Sequence, residues 1–345
     1  MKKRIALLLL IVITVTSLAG CTTSKPVEPA APAASNPAPA PAPEQPKATP
    51  KETQYINIAT GGTAGTYFPL GGAFAEIWNN TIEGVNVTSQ STGASVANIN
   101  LLYDGKIEIA MVQNDIAWYS NNGVEMFDGE KFEDLRGLTT LHNEPIQLVT
   151  TDPKIKGIQD LKGKRVSVGA IGSGNEANAR QILTAAGIDI EKDIKPMYLP
   201  YSETISGMKD NQIDVAIFTT GMPNSGIQEL ALQRDVILVP VEKELRDKLK
   251  AEYSFFTDLV APANTYKGQT EAVDGITVKA LLAVKADMSD ELAYELTKQI
   301  YENHERVVAA HALGKTITPE NAIQGMSIPL HPGAEKYFKE IGVIK

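Results

Sequence analysis

The chain of 345 residues holds a single cysteine, Cys21. A lone cysteine cannot pair within the chain, and everything after it has no thiol, which excludes a disulfide scaffold and any cysteine-ligated zinc or iron–sulfur site. Histidine is scarce as well. His142, His304, His311 and His331 show no close-spaced ligand pattern, and the i, i+7 interval of His304 and His311 has no further ligands beside it. No metal and no cofactor is expected. Positive charge is in short supply, with 32 Lys and Arg against 41 Asp and Glu. Lys2, Lys3 and Arg4 all fall in a leader without acids, so the body is more acidic still, and a general nucleic-acid binder is excluded. The chain shows no Ser–His–Asp set and no paired-acid motif, and an enzyme is not expected. Chain-wide disorder is excluded in turn by a content of 43% hydrophobic and 21% charged residues.

What is present begins with an address. The basic start is followed by an apolar run, Ile5 to Val15, too short to span a bilayer as a mature helix but fitting an export signal. The run closes on Leu18-Ala19-Gly20-Cys21, which resembles the lipobox of bacterial lipoproteins, where the signal is cut before a cysteine that then carries lipid. Residues 1–20 are therefore read as a signal peptide, Cys21 as the site of lipid attachment, and the protein as extracytoplasmic and anchored to the cell membrane through that lipid. From Lys25 to Pro50, 9 of the chain's 20 prolines alternate with Ala, Ser and Glu. Such a segment builds no core; in polyproline II geometry it reaches roughly 80 Å, so 21–53 reads as a tether.

Beyond it, strand and helix signals alternate. Tyr55 to Ala59 reads as a strand running into Thr60-Gly61-Gly62-Thr63-Ala64-Gly65-Thr66-Tyr67, then a helix from Leu70. The loop lacks the Gly-Lys-Ser/Thr of a P-loop and the GxGxxG of a dinucleotide site, yet its glycines let backbone N–H groups approach a small polar ligand or anion. A tight turn needing positive φ is the plain alternative. Val85 to Gln90 reads as a second strand, and Thr92, Ser95 and Asn98 share one side of the following helix start, facing a ligand or capping the helix. A third strand, Ile107 to Val112, delivers Gln113-Asn114-Asp115. Three strand ends thus converge on the carboxyl edge of a sheet, where open α/β folds bind ligands.

A second unit follows: a strand over Pro145 to Thr150, a strand over Val166 to Gly169, then Gly172-Ser173-Gly174-Asn175-Glu176 opening a helix, with Ser173 and Glu176 fitting a capping box. Strands over Lys195 to Leu199, Ile213 to Phe218 (ending in Thr219-Thr220-Gly221) and Val236 to Val239 continue the alternation. A strand at Val278 to Val284 and one long helical stretch from Asp290 to Ala312 close the chain. The pattern predicts α/β architecture with two lobes of largely parallel, helix-covered sheet and a ligand cleft between them: 54–145 for the first part of lobe 1, 146–260 for lobe 2, and 261–345 returning to pack on lobe 1.

The blocks Gly61 to Gly72, Ser91 to Asn98, Val112 to Asp115, Gly172 to Gly174 and Gly221 to Asn224 occur in the order found in the TAXI-type solute receptors of TRAP transporters, and the chain from Tyr55 onward resembles that family. Asp160 to Val166 is similar to the segment leading into the second lobe of many solute-binding proteins. Asn114, Asn175 and Met222 depart from the serine, threonine and histidine more frequent in the family. The resemblance implies a two-lobed, periplasmic-binding-protein-like fold of type II. It implies a monomer that closes on a small carboxylate or amino acid, glutamate, glutamine or a related dicarboxylate first, and presents it to TRAP permease subunits driven by an ion gradient. Carried over position by position, the ligand contacts it implies are Gly61, Gly62, Gly65, Tyr67, Thr92, Gly93, Ser95, Asn98, Gln113, Ser173, Gly174, Thr219 and Thr220. None of the blocks holds an arginine except at Arg165, in the turn leading into the second lobe, so a carboxylate would be met by hydroxyls, amides and backbone N–H groups. The alternatives on the same fold are a lipoprotein that reports its ligand to a signalling kinase and, less expected, an enzyme.

Overall fold

The computed structural model describes residues 53–345; the leader, Cys21 and the tether through residue 52 lie outside the described residues. Strand β1 (Gln54–Ala59) buries Ile56 and Ile58 and leaves Tyr55 exposed, the period of two expected from its sequence. It is followed by α1 (Tyr67–Thr81), β2 (Val85–Gln90), α2 (Ser95–Tyr103), β3 (Ile109–Gln113), α3 (Asn114–Asn122) and the long strand β4 (Leu135–Thr150). The second unit holds β5 (Arg165–Ser167), α4 (Gly174–Ala185), α5 (Ile190–Asp193), β6 (Lys195–Met197), α6 (Tyr201–Lys209), β7 (Val215–Thr219), α7 (Ser225–Gln233), β8 (Ile237–Val239), α8 (Lys243–Glu252) and β9 (Thr257–Ala261). A second long strand, β10 (Val273–Lys285), leads to α9 (Asp290–Glu302), α10 (His304–Ala310) and α11 (Pro332–Glu340).

The strands run in the order β2-β1-β3-β10-β4-β7-β5-β6, with β8 on β4 and β9 on β10. Within each lobe the outer strands are parallel, β2-β1-β3 on one side and β7-β5-β6 on the other. β10 and β4 are antiparallel to their neighbours and to each other, so the path is mixed and not largely parallel. These two strands belong to both lobes. β4 changes partners from β10 to β7 between Pro145 and Ile146, and β10 shifts register between Lys279 and Leu281.

Each half of the sheet is packed on both faces. In the first lobe Phe74, Trp78, Leu296 and Phe338 cover one face and Ile99, Leu102, Ile116 and Tyr119 the other. In the second lobe Leu161, Ile182, Leu183 and Leu249 face Ile205, Ile227 and Leu230 across Ile217 and Phe218. The return to the first lobe comes later than residue 261. Ala261 and Tyr266 pack in the second lobe, as do Ile276 and Val278, and Ala280 is the first residue of β10 in the core of the first. Ala261-Pro262-Ala263 opens a β9–β10 connection whose turn holds Asn264 at φ 63° and Gly268 at φ 94°. The expected single helix to Ala312 breaks at Asn303. His304 and His311 act as local ties there: Nε2 of His304 lies 2.9 Å from the Gly314 carbonyl, and Nδ1 of His311 accepts from the Leu313 N–H.

Candidate functional site

The carboxyl ends of the parallel strands in both lobes point at one interlobe space. β1 runs into the Thr60 to Gly65 loop, β2 into Ser91 to Ala94, β3 into Gln113, β6 into Pro200 and β7 into Thr219 and Thr220. Together with Ala170, Ser173, Gly174, Asn175 and Glu144 they enclose a cavity of about 660 Å³ counting its mouth.

The lobes are closed over it. Thr66 Oγ1 lies 3.3 Å from Thr220 Oγ1, the Ala97 N–H donates to the Gly172 carbonyl at 3.2 Å, and Asn224 Nδ2 donates to the Ala64 carbonyl at 3.2 Å. Gln113 Nε2 donates to Asn178 Oδ1 at 2.8 Å, and Asn178 Nδ2 to Asp115 Oδ2 at 2.6 Å. Gly174 is required at this junction. A Cβ there would stand 1.4 Å from Gln113 Oε1, a side chain already tied across the cleft.

Four helices begin at the cavity wall: α1 at Thr66-Tyr67, α2 at Ala94-Ser95, α4 at Ser173-Gly174 and α6 at Pro200-Tyr201. The first-turn N–H groups of any helix have no intrahelical acceptor and carry the positive end of its dipole. α1, α2 and α6 lack a side-chain cap. The Thr66 hydroxyl that could cap α1 engages the other lobe instead. Ala94 holds φ 68°, ψ −149°, a strained conformation for a residue with a Cβ, and so turns the start of α2 toward the cavity. α4 is capped: Ser173 Oγ accepts from the Glu176 N–H at 3.1 Å and donates to the Ala170 carbonyl at 2.7 Å. The Glu176 carboxylate is bound by Arg180 and is not part of the lining.

At the lobe crossing, Glu144 on β4 is 3% exposed and accepts from the Tyr67 hydroxyl at 2.6 Å. Burial pushes its carboxyl up to about 8, opposed by that hydrogen bond and reinforced by the charge of Asp115. Asp115 is itself raised by burial to about 6. His142, two residues before Glu144, is pushed down to about 3 by burial and then by His311, and neither ring nitrogen has a partner. Its Nε2 stands 3.8 Å from Glu144 Oε1. Burial also raises the Tyr67 and Tyr201 hydroxyls. No Lys, Arg or His is among the described residues that line the cavity.

All the residues named from sequence line this cavity except Asn98. Asn98 is fully buried behind the wall, its Nδ2 on the carbonyls of Thr60 (2.6 Å) and Met111 (2.8 Å) and its Oδ1 2.5 Å from Thr92 Oγ1, so it ties the ends of β1 and β3 together. Sequence reading missed Thr66, Ala94, Glu144, Ala170, Asn175, Pro200 and Tyr201. The available signal for Glu144 was its place in the polar stretch His142-Asn143-Glu144 just ahead of an apolar strand.

The sequence profile of the NMT1-like family matches residues 58–342. Among solved structures, a protein of Bordetella bronchiseptica RB50 is similar at 16% identity over 85% of this chain and 90% of that one, with a TM-score of 0.50. The periplasmic aliphatic sulphonate binding protein of Escherichia coli is 13% identical over 84% of each chain, TM-score 0.46. A binding protein component of an ABC phosphonate transporter of Pseudomonas aeruginosa is 14% identical over 76% of this chain and 79% of that one, TM-score 0.48. The likeness to the Bordetella structure is one of fold, a mixed α/β architecture built on one continuous sheet path.

Proposed function

From the premise that the chain belongs to the NMT1-like family, we propose that it is an extracytoplasmic solute receptor which closes its two lobes on a small organic acid or amino acid. The observation that carries this reading is the convergence of four helix N-termini, three of them without a side-chain cap, on an interlobe cavity with no cation among its described lining residues. A carboxylate placed there meets N–H donors from both lobes, each worth about 1.5 to 3 kcal/mol to a charged partner. Contacts made to both lobes at once bias the closed state.

The protein binds and does not catalyse. Ser173 Oγ has its proton on a carbonyl and His142 lies behind Tyr67 and not in the lining, so Ser173 has no histidine base; the one carboxyl that meets a lining hydroxyl, Glu144, accepts from a Tyr67 phenol that burial holds protonated. The receptor is held at the membrane by lipid on Cys21 and hands its ligand to a TRAP-type permease, as the resemblance of its motif blocks implies. A thermal-shift screen of the purified chain against amino acids, dicarboxylates, 2-oxo acids and sugars tests the reading. A ligand at 100 times its Kd adds about 2.7 kcal/mol of stability, and silence across the panel by refolded protein overturns it. Uptake in cells that stops when the ion gradient is dissipated with ATP maintained supports the TRAP partner; uptake that follows ATP instead assigns the receptor to an ATP-driven importer.

A further inference from the structure

We propose that Glu144 receives the ammonium group of the ligand, so that the solute is an amino acid and not a 2-oxo acid or a dicarboxylate that lacks an amino group. This rests on the receptor reading and narrows its ligand class. The Glu144 carboxyl forms part of the cavity lining, and its one hydrogen-bond partner is the Tyr67 hydroxyl. The groups that face it are Tyr67 from α1, Tyr201 from α6, Asp115 from α3 and His142 on its own strand, with His311 beyond His142. Both histidines are held toward the neutral form by burial, so none of these groups supplies a positive charge at neutral pH. A buried carboxylate without a counter-ion is costly, and its missing partner is a cation.

A second, independent feature has the same polarity. Gln113 is 3% exposed and its Oε1 has no donor. The amide cannot turn over without cost: Asp115 accepts from Asn178 Nδ2, which leaves Asn178 Oδ1 to accept from Gln113 Nε2, and the carbonyl end is left over the Ser95–Gly174 contact in the lining. An amide oxygen only accepts. Thr219 Oγ1, in the same lining, also lacks a partner. An ammonium brings three donors to such a set, whereas a ketone or a second carboxylate would leave the Gln113 amide oxygen facing another acceptor and would depend on the Thr219 hydroxyl or a protonated Glu144 for a donor. The helix starts supply the complementary place for the α-carboxylate. The raised Glu144 carboxyl supports this arrangement: burial holds it up to about 8 in the empty cavity, and a bound ammonium would restore its charge and expel the proton.

The test is calorimetric titration of the full-length chain with amino acids, each paired with the 2-oxo acid of the same side chain. Each titration is run from about pH 6 to about pH 8 in two buffers of different ionisation enthalpy. The expected result is an amino acid that binds roughly 10- to 100-fold more tightly than its 2-oxo partner, gains affinity as pH rises, and releases up to about one proton near neutrality. Glu144→Gln should abolish both the preference and the proton release, and Glu144→Asp should weaken binding while keeping the preference. Tighter binding of the 2-oxo acid, or of a dicarboxylate without an amino group and with proton uptake, overturns the inference and leaves the receptor reading standing. So does a folded Glu144→Gln chain that keeps its amino-acid affinity within about threefold. Absence of any binding overturns the receptor reading, and this inference with it.

Discussion

Asn98 and Gly174 show how far a motif block reaches at the scale of single residues. Both lie in blocks recognisable from sequence, yet one holds the wall from behind and the other lets the two lobes meet. Asn98→Ala should remove hydrogen bonds from the buried Thr60 and Met111 carbonyls and cost about 2 to 4 kcal/mol in denaturant unfolding, since each orphaned group costs roughly 1 to 3 kcal/mol. Gly174→Ala should act in the opposite way. Its methyl would drive into Gln113 Oε1 only when the lobes close, so ligand affinity should fall by more than about 10-fold while each lobe keeps its packing and the melting temperature of the empty chain moves little. Glycines and hydroxyls at strand ends were legible because loop residues carry their chemistry in their type. Glu144 was not, because membership of a cavity is a tertiary property. A carboxylate beside Pro145 looks like any polar interruption until Tyr67 and Asp115 arrive from helices more than twenty residues away in sequence.

Helix starts and strand lengths divide differently at the scale of elements. Ser173 was readable as a cap, and it is one. Its hydroxyl proton is already on the Ala170 carbonyl, so Ser173→Ala should lower stability by about 1 kcal/mol and change ligand affinity by less than about threefold, with paired melting and titration experiments separating the two effects. The strands were found but cut short. β4 read as Pro145 to Thr150 because His142-Asn143-Glu144 breaks the apolar run, although β10 pairs with Asn143 and Glu144 too. β10 read as starting at Val278 because Asp274-Gly275 is a turn signal, and only the partner strand β9, with Leu259 opposite Gly275, keeps that dipeptide extended. Local pattern cannot show a strand whose hydrogen bonds come from a distant segment.

Charge and closure are properties of the whole molecule. Burial raises Glu144 to about 8 and Asp115 to about 6 and lowers His142 to about 3. The stability contributed by the two raised carboxyls is complete below their unfolded values and is lost as pH climbs through the folded ones. That of His142 is complete above 6.5 and is lost as pH falls. From 6.5 to about 8 the Glu144 effect acts alone. The empty protein should therefore lose up to about 2 kcal/mol across that interval in urea titrations, and Glu144→Gln should flatten the slope. Closure has its own reporter. Trp118, 36% exposed on the first lobe, packs its ring 6.1 Å from Phe255 of the second, while Trp78 is wholly buried in the first. Ligand addition should change tryptophan emission, and Trp118→Phe should abolish the change.

The position of β10 between β3 and β4 also fixes an order of events while the chain is being made. The first lobe's sheet is drawn from segments on either side of the second lobe in sequence, so its central strand is synthesised after nearly all of the second lobe. Until Val273 to Lys285 emerges, β3 and the first half of β4 have open edges, and the first-lobe core lacks Ala280, Leu281, Leu282 and Val284. The second lobe has by then most of its own strands in hand. A nascent chain of this design completes most of one half early and keeps the other half unlocked until β10 has emerged, so a chain stalled before β10 should be far more open to proteolysis than one stalled after it.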